Sequence, residues 1–377
     1  MTFPAVLSGA AGVVLVLVIL WDAFETVLVP RRIGRRVRLT RYIYIILWRI
    51  WRALAVRQQT PSRREALLGF FGPISLLVLV LCWASGLIFA FALIEVATGQ
   101  AAGLPARDFG TLLYASGQTF FTLGYGDFTP TTLLGRMLSV IEAGLGFGFL
   151  GTVVGYLPTM YGAFSQREIE ISLMDARAGS PPTAAEFVRR TLAELDDGGV
   201  DEILRAWDRW AAQLLETHIS YPQLAYYRSQ HSNQSWLATL VVILDSTAVL
   251  LARPGAPRVS QARRTFAMAR HALVDITQIF VREFTAVPGE RFTPDCLHAL
   301  EVRLGAPASP EAAHEFKQRL AELRLLYEPY AQALGAFLLF ELPPWEYTNP
   351  RPDNWKRAPW DKLLAERAGI EPPDEHF

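Results

Sequence analysis

Apolar and polar positions divide this chain into a membrane-like first part and a mixed second part. Residues 4–29 form an almost uninterrupted apolar run, long enough as a helix to cross a hydrocarbon core of ~30 Å. No basic segment precedes it and no small-residue cleavage site follows, so a membrane anchor is expected rather than a signal peptide. Residues 42–54 (YIYIILWRIWRAL) are apolar but too short to span, and Arg49 and Arg52 interrupt them. They predict an amphipathic helix lying on the membrane surface. A second spanning helix is predicted over 67–97, followed by a small-residue loop over 99–107. Residues 109–121 then predict a short helix, with Asp108 as its N-cap. The chain turns back at Pro130, and a third spanning segment covers 131–164, broken only by Arg136 and Glu142.

From residue 165 the character changes. Charges return, and the period is helical over 183–197, 200–217, 234–252, 260–285, 294–304 and 309–340. Residues 236–252 approach membrane length, but Asp245, Ser246 and Thr247 interrupt them, which predicts a buried core helix. No strand–helix alternation is present, so a nucleotide-binding βαβ module is not expected, and the helical pattern argues against a cyclic-nucleotide β-roll. The predicted fold is all-α: three transmembrane helices with a re-entrant pore helix and loop, then an all-α cytoplasmic domain. The expected divisions are 1–30, 31–66, 67–164 and 165–377.

Composition supports a membrane part joined to a water-facing one: 51% hydrophobic residues, zero formal charge and a mean hydropathy of +0.21. Residues 31–64 hold eleven arginines and no acid. Positive segments stay cytoplasmic, which places the start of the chain outside, the basic linker inside against anionic inner-leaflet lipids, and the C-terminal part in the cytoplasm. Arg35, Arg38 and Arg41 fall three apart like the charges of a voltage sensor, but no membrane bundle precedes the pore to house one. Asp22 and Glu25 lie one helical turn apart and read either as an ion or proton site or as interfacial acids pairing with Arg31 and Arg32, which is preferred. Two cysteines, Cys82 and Cys296, offer neither a disulfide framework nor a metal cluster, and His271 with Asp275 makes a poor metal site. No enzymatic activity and no nucleic-acid partner are expected.

Candidate chemistry concentrates in residues 119–127 (TFFTLGYGD), in the short hairpin between two membrane-length segments. Gly124 and Gly126 occupy alternate positions where left-handed backbone is easily adopted, and Thr122 adds a hydroxyl at the inner end. Such a segment can aim successive carbonyl oxygens in one direction, with Leu123 and Tyr125 directed outward into a bracing wall. The segment resembles the selectivity filter of the potassium-channel pore family, with Leu123 where that family most often has valine. The resemblance covers roughly 67–164. It implies a filter of Thr122, Leu123, Gly124, Tyr125 and Gly126 that strips and coordinates K+, four chains around one axis, and no cofactor beyond the permeant ion. Gln118, Thr119, Asp127 and Glu142 are expected to support the filter, with Glu142 bonding behind the pore helix in preference to lining the pore. The dipeptide Gly135-Arg136 matches one that many family members carry at the outer end of the inner helix.

Glycines crowd the third segment at 135, 144, 146, 148, 151, 155 and 162. The GxGxxG spacing of 146–151 lacks a preceding strand and is not a nucleotide fingerprint. Gly146 falls at the hinge glycine implied by the resemblance, and Pro158, which has no amide donor, is expected to kink the cytoplasmic end. In the second half, residues 218–235 are rich in aromatic and hydrogen-bonding groups. His218, Tyr221, Tyr226, Arg228 and His231 there are candidates for a ligand or subunit site, weighed against a polar connection with a satisfied histidine. The tail from Pro343 carries Trp345, Trp355 and Trp360 among prolines and predicts an extended arm. The sequence thus points to a potassium-selective channel subunit, and a looser resemblance to bacterial channel-like proteins with an extra leading helix and a helical cytoplasmic tail implies residence in the inner membrane. The alternatives are a non-conducting channel-like sensor or scaffold, or a cation-transporter subunit.

Overall fold

The computed structural model describes residues 3–27, 29, 38–98, 108–230, 234–253, 259–281, 290–304, 309–345, 360 and 367. All regular structure among the described residues is helical. The chain divides into two compact units, Met1–Gly162 and Ala163–Phe377.

In the first unit, α1 (Phe3–Val27) and α3 (Pro61–Thr98) form an antiparallel pair. Ser8 Oγ donates to Leu93 O at 3.0 Å near one end, and Trp83 Nε1 donates to Asp22 Oδ2 at 2.9 Å near the other. Close approach depends on small residues: a Cβ on Gly12 would sit 2.5 Å from Ala90 O, and one on Gly86 would sit 2.6 Å from Ile19 Cδ1. Membrane helices commonly pack through such positions, because burial against lipid supplies no hydrophobic drive.

Helix α2 (Leu39–Val56) turns Tyr44, Trp48 and Trp51 onto Phe71 of α3, with ring centroids 6.4, 4.8 and 5.8 Å away. Its other side exposes Tyr42, Ile46, Ile50 and Leu54, four apart along the helix, with Arg49 and Arg52 also exposed. One face therefore packs on protein and a second presents apolar groups beside cations. Helix α3 begins at Pro61, six residues ahead of the expected start at 67, because the basic segment there is itself helical.

Helix α4 (Phe109–Phe120) is the short helix, and Asp108 caps it by accepting from the Thr111 N–H. Helix α5 (Leu133–Ala178) is longer than the 131–164 segment expected and runs unbroken through Pro158. With α1 and α3 it makes three helices, among the described residues, long and apolar enough to cross a membrane. Phe149 of α5 sits between Trp83 of α3 at 6.5 Å and Phe120 of α4 at 5.9 Å.

The second unit takes the last turns of α5 together with α6 (Ala184–Glu194), α7 (Asp197–Ser220), a 3₁₀ turn at Pro222–Tyr226, α8 (Trp236–Ala252), α9 (Val259–Phe280), α10 (Pro294–Leu304), α11 (Pro310–Leu325) and α12 (Glu328–Leu338). Helix α8 is its core: every residue except Leu251 is buried. The single helix expected over 309–340 is two. Leu326 ends the first and Pro329, which has no N–H to donate, opens the second. Asp245, fully buried on α8, pairs with Arg291 at 2.5 Å and accepts from Tyr327 at 2.5 Å. Arg291 also pairs with Glu328 at 3.0 Å and donates to Pro343 O. Of the tail, Trp345 is buried with its ring 4.7 Å from Phe292, Trp360 is exposed, and Trp355 lies outside the described residues.

Candidate ion-conduction site

The loop after α4 departs from helix by a defined sequence of bonds. The Thr122 N–H reaches Thr119 O at 3.1 Å and the Leu123 N–H reaches Gln118 O at 2.8 Å. Beyond them, Thr122, Gly124 and Gly126 have φ of 54, 61 and 82°. Left-handed residues thus alternate with Leu123 and Tyr125. In a strand, successive carbonyls point to opposite sides; an alternation of hands rotates every second peptide plane and brings successive carbonyls to one side. The glycines adopt this backbone at little cost, whereas β-branched Thr122 does so against its sterics. Sequence reasoning assigned the left-handed positions to the glycines alone, since nothing in the residue type of Thr122 signals one.

The supports of this loop are short-range. Gln118, buried on α4, donates from Nε2 to Asp127 Oδ1 at 3.0 Å and so ties the two ends of the segment together. Thr119 Oγ1 donates back to Ala115 O at 3.0 Å. Arg136 Nε donates to Pro130 O at 3.3 Å at the outer end of α5. Leu123 and Tyr125 are 52% and 67% exposed in the single chain. More than half of each residue's surface is thus open in one copy.

Glu142 is 1% exposed and hydrogen-bonds Ser116 of α4, whose Oγ also lies 2.9 Å from Ile88 O of α3. This chain of contacts links α3, α4 and α5 beside the loop. Glu95, buried toward the far end of α3, is the acid in this part of the unit that sequence reading missed; its signal was an acid in the last turns of an apolar helix. Gly146 lies where α5 passes the end of α4, and a Cβ there would run into the Phe120 carbonyl. Its bareness therefore has a packing cause, apart from any hinge. Pro158 sits within the continuous helix.

Asp22 and Glu25 are both buried. Asp22 accepts from the Thr40 N–H at 3.1 Å, the Thr40 hydroxyl at 2.5 Å and Trp83 Nε1 at 2.9 Å. It thereby satisfies an orphan amide in the first turn of α2 and joins α1, α2 and α3. Glu25 accepts from Trp21 Nε1 at 2.6 Å and lies 3.5 Å from Arg38 Nε. Among the described residues Glu25 thus meets an arginine, Arg38, while Arg31 and Arg32, the partners expected from the sequence, lie outside the described residues.

In the second unit, the candidate group of residues 218–235 is drawn into the fold. His218 is 0% exposed, with Nδ1 2.8 Å from Leu214 O and its ring 4.7 Å from Trp236. Burial, and then the Arg167 guanidinium, push its pKa down to about 3, so it is neutral. Tyr221 closes α7 through its N–H to Thr217 O. Tyr226 is buried against Phe280, which pushes its phenol up. Arg228 lies over the Phe340 ring at 3.8 Å and donates to Leu338 O, a carbonyl at the end of α12. Arg167 of α5 donates to Leu224 O at 2.9 Å and Tyr227 O at 3.0 Å, a role no sequence pattern announced. His231 lies outside the described residues. Among the described residues, no three His, Cys, Asp or Glu side chains group to hold a metal.

Residues 75–162 match the family model described as "Ion channel". A "Probable potassium channel protein 2" of Methanocaldococcus jannaschii is 46% identical over 57 residues, 15% of this chain and 16% of that protein. An "Uncharacterized membrane protein YdjJ" of Bacillus subtilis is 24% identical over 217 residues, 56% of this chain and 60% of that protein. The matched stretches thus span less than two thirds of either relative. No solved structure matches. Residues 75–162 are therefore similar to an ion-channel domain, and they lie in a unit whose helices are long and apolar enough to cross a membrane.

Proposed function

We propose that this chain is one of four identical subunits of a potassium-selective channel in the inner membrane, conducting K+ passively. The observation that carries the reading is the alternation of hand at Thr122, Gly124 and Gly126. One chain supplies one such segment, and a ring of carbonyls around a dehydrated cation needs four. The more than half-exposed Leu123 and Tyr125 support this, since neighbouring copies would furnish the wall they lack. The similarity to a protein named as a probable potassium channel agrees.

In the proposed orientation the chain begins outside and the basic linker and second unit face the cytoplasm. The Tyr42, Ile46, Ile50 and Leu54 stripe rests in the inner leaflet while Arg49 and Arg52 meet anionic headgroups. Gly146 and Pro158 mark where the inner helix bends to gate, and the second unit, with residues 218–235 as its ligand or subunit contact, acts in gating or assembly.

Purified protein in liposomes tests the reading. A K+ gradient should drive a valinomycin-like diffusion potential, Na+ should not, and native mass measurement should return a tetramer. Equal passage of Na+ defeats the selectivity assignment. Tetramers without flux would indicate a non-conducting sensor or scaffold, and flux coupled to a second ion would indicate a transporter.

A further inference from the structure

Helix α5 does not end with the membrane segment, and its last turns have two different faces. Phe164, Arg167, Ile171, Met174 and Ala178 are buried within the second unit. On the other side Gln166, Ile169, Leu173 and Ala176 are exposed, with Ile169 at 52% and Leu173 at 44%. These four are spaced 3, 4 and 3 residues apart, and Gly162, four positions earlier and also exposed, continues the series. Such spacing averages 3.5 residues, the repeat of a helix that keeps one seam against partner helices along its length. Ile169 and Leu173, one helical turn apart, make the middle of that seam apolar.

We infer that residues 162–176 of four copies associate as a parallel coiled coil continuous with the inner helices, so that assembly is carried outside the membrane by α5 itself. The inference rests on the tetrameric reading above and names the surface that would complete it. Three features select a second copy of this chain as the occupant. The helix is the direct continuation of the one that follows the filter, so copies around a pore axis arrive parallel and side by side. In heptad register Gln166 and Leu173 take a positions while Ile169 and Ala176 take d positions. Leucine at a with isoleucine at d favours more than two strands. The g positions are Ser165 and Ser172, so Glu170 and Arg177 at e face no like charge and small side chains permit close approach.

A seam this short would not hold free helices together, because isolated helices of this length are marginal. Here the helix is already formed, and the membrane module keeps its copies at high effective concentration. Gln166 then serves as a polar layer that fixes register at some cost in stability, as single polar a residues do.

The test uses the full chain with Cys82 and Cys296 replaced by Ala. A single Ile169→Cys change is introduced, the protein is reconstituted in lipid vesicles, and a short bis-maleimide is added. Dimeric cross-links are expected at about tenfold the level given by Glu315→Cys, an exposed background position on α11, consistent with a high local concentration. Cross-linking at background level, with tetramers and K+ flux intact, overturns the coiled coil and leaves the pore reading standing. Cross-linking without selective flux upholds the coiled coil and removes the pore reading. Absence of both defeats both. The double change Ile169→Asp with Leu173→Asp should lower the tetramer fraction; a tetramer fraction equal to the parent's overturns the inference, and if that chain misfolds the cross-linking result still decides.

Discussion

At the scale of single residues, two kinds of position carry the behaviour of this protein. Gly124 and Gly126 have φ of 61 and 82°, where an added Cβ opposes the backbone by about 1–2 kcal/mol at each site in each subunit. Gly124→Ala or Gly126→Ala is expected to abolish K+ preference in the liposome assay, while Leu123→Val, whose side chain is expected to face the wall and not the ion, should change it little. His218 is the other kind. It is buried neutral, with its pKa lowered from 6.5 to about 3. Between those values the unfolded chain takes up a proton that the folded one refuses. Stability should therefore fall as pH drops through that window, by at most about 1.4 kcal/mol per pH unit. In thermal melts of the full chain from pH 7 to 4, His218→Phe should show a shallower loss than the parent. Identical slopes would remove the buried-histidine account.

Elements depend on contacts that join helices far apart in sequence. Asp22 is the clearest, since its carboxylate receives the Thr40 N–H and hydroxyl and the Trp83 N–H. Asp22→Ala should leave those buried donors without an acceptor, at roughly 1–3 kcal/mol, and lower the melting temperature of the detergent-solubilised protein. Asp22→Asn keeps an acceptor oxygen and should restore part of the loss; an unchanged melt for Asp22→Ala would contradict the junction. The α1–α3 pair obeys a different rule, shape alone, because Gly12 and Gly86 face backbone or side-chain atoms with no room for a methyl. In the second unit Arg291, its side chain 12% exposed, holds Asp245 and Glu328 at once. Such a triad resists removal of any one member, which would strand an uncompensated charge.

For the molecule as a whole, α5 is the element common to both units: it starts in Met1–Gly162 and finishes in Ala163–Phe377. Its early part meets Phe120 at Gly146, and its last turns anchor Leu224 O and Tyr227 O through Arg167. The segment similar to an ion-channel domain and the helical second unit thus share residues of one continuous helical rod, 46 residues long and about 69 Å at the rise of an α-helix. A proposed gating or assembly role for the second unit acts through that rod, since a bias on a gate requires different interactions in its open and closed arrangements.

The three apolar helices, the Asp108 cap, the buried α8 and the filter-like loop were legible in the sequence because each depends on neighbours within a few turns. Apolar length, an Asp ahead of a helix and glycines at alternate positions are local statements, readable one segment at a time. The end of α3 that begins at Pro61, the break before Pro329 and the left-handed Thr122 were less legible, since local preference there is weak or adverse and packing decides. The partners of Asp22, the contact between Ser116 and Glu142, the close pass of Gly146 over Phe120 and the Arg291 triad belonged to the tertiary structure alone. Each joins residues tens of positions apart, and which helix faces meet is set by packing all the helices together, a quantity no single segment carries.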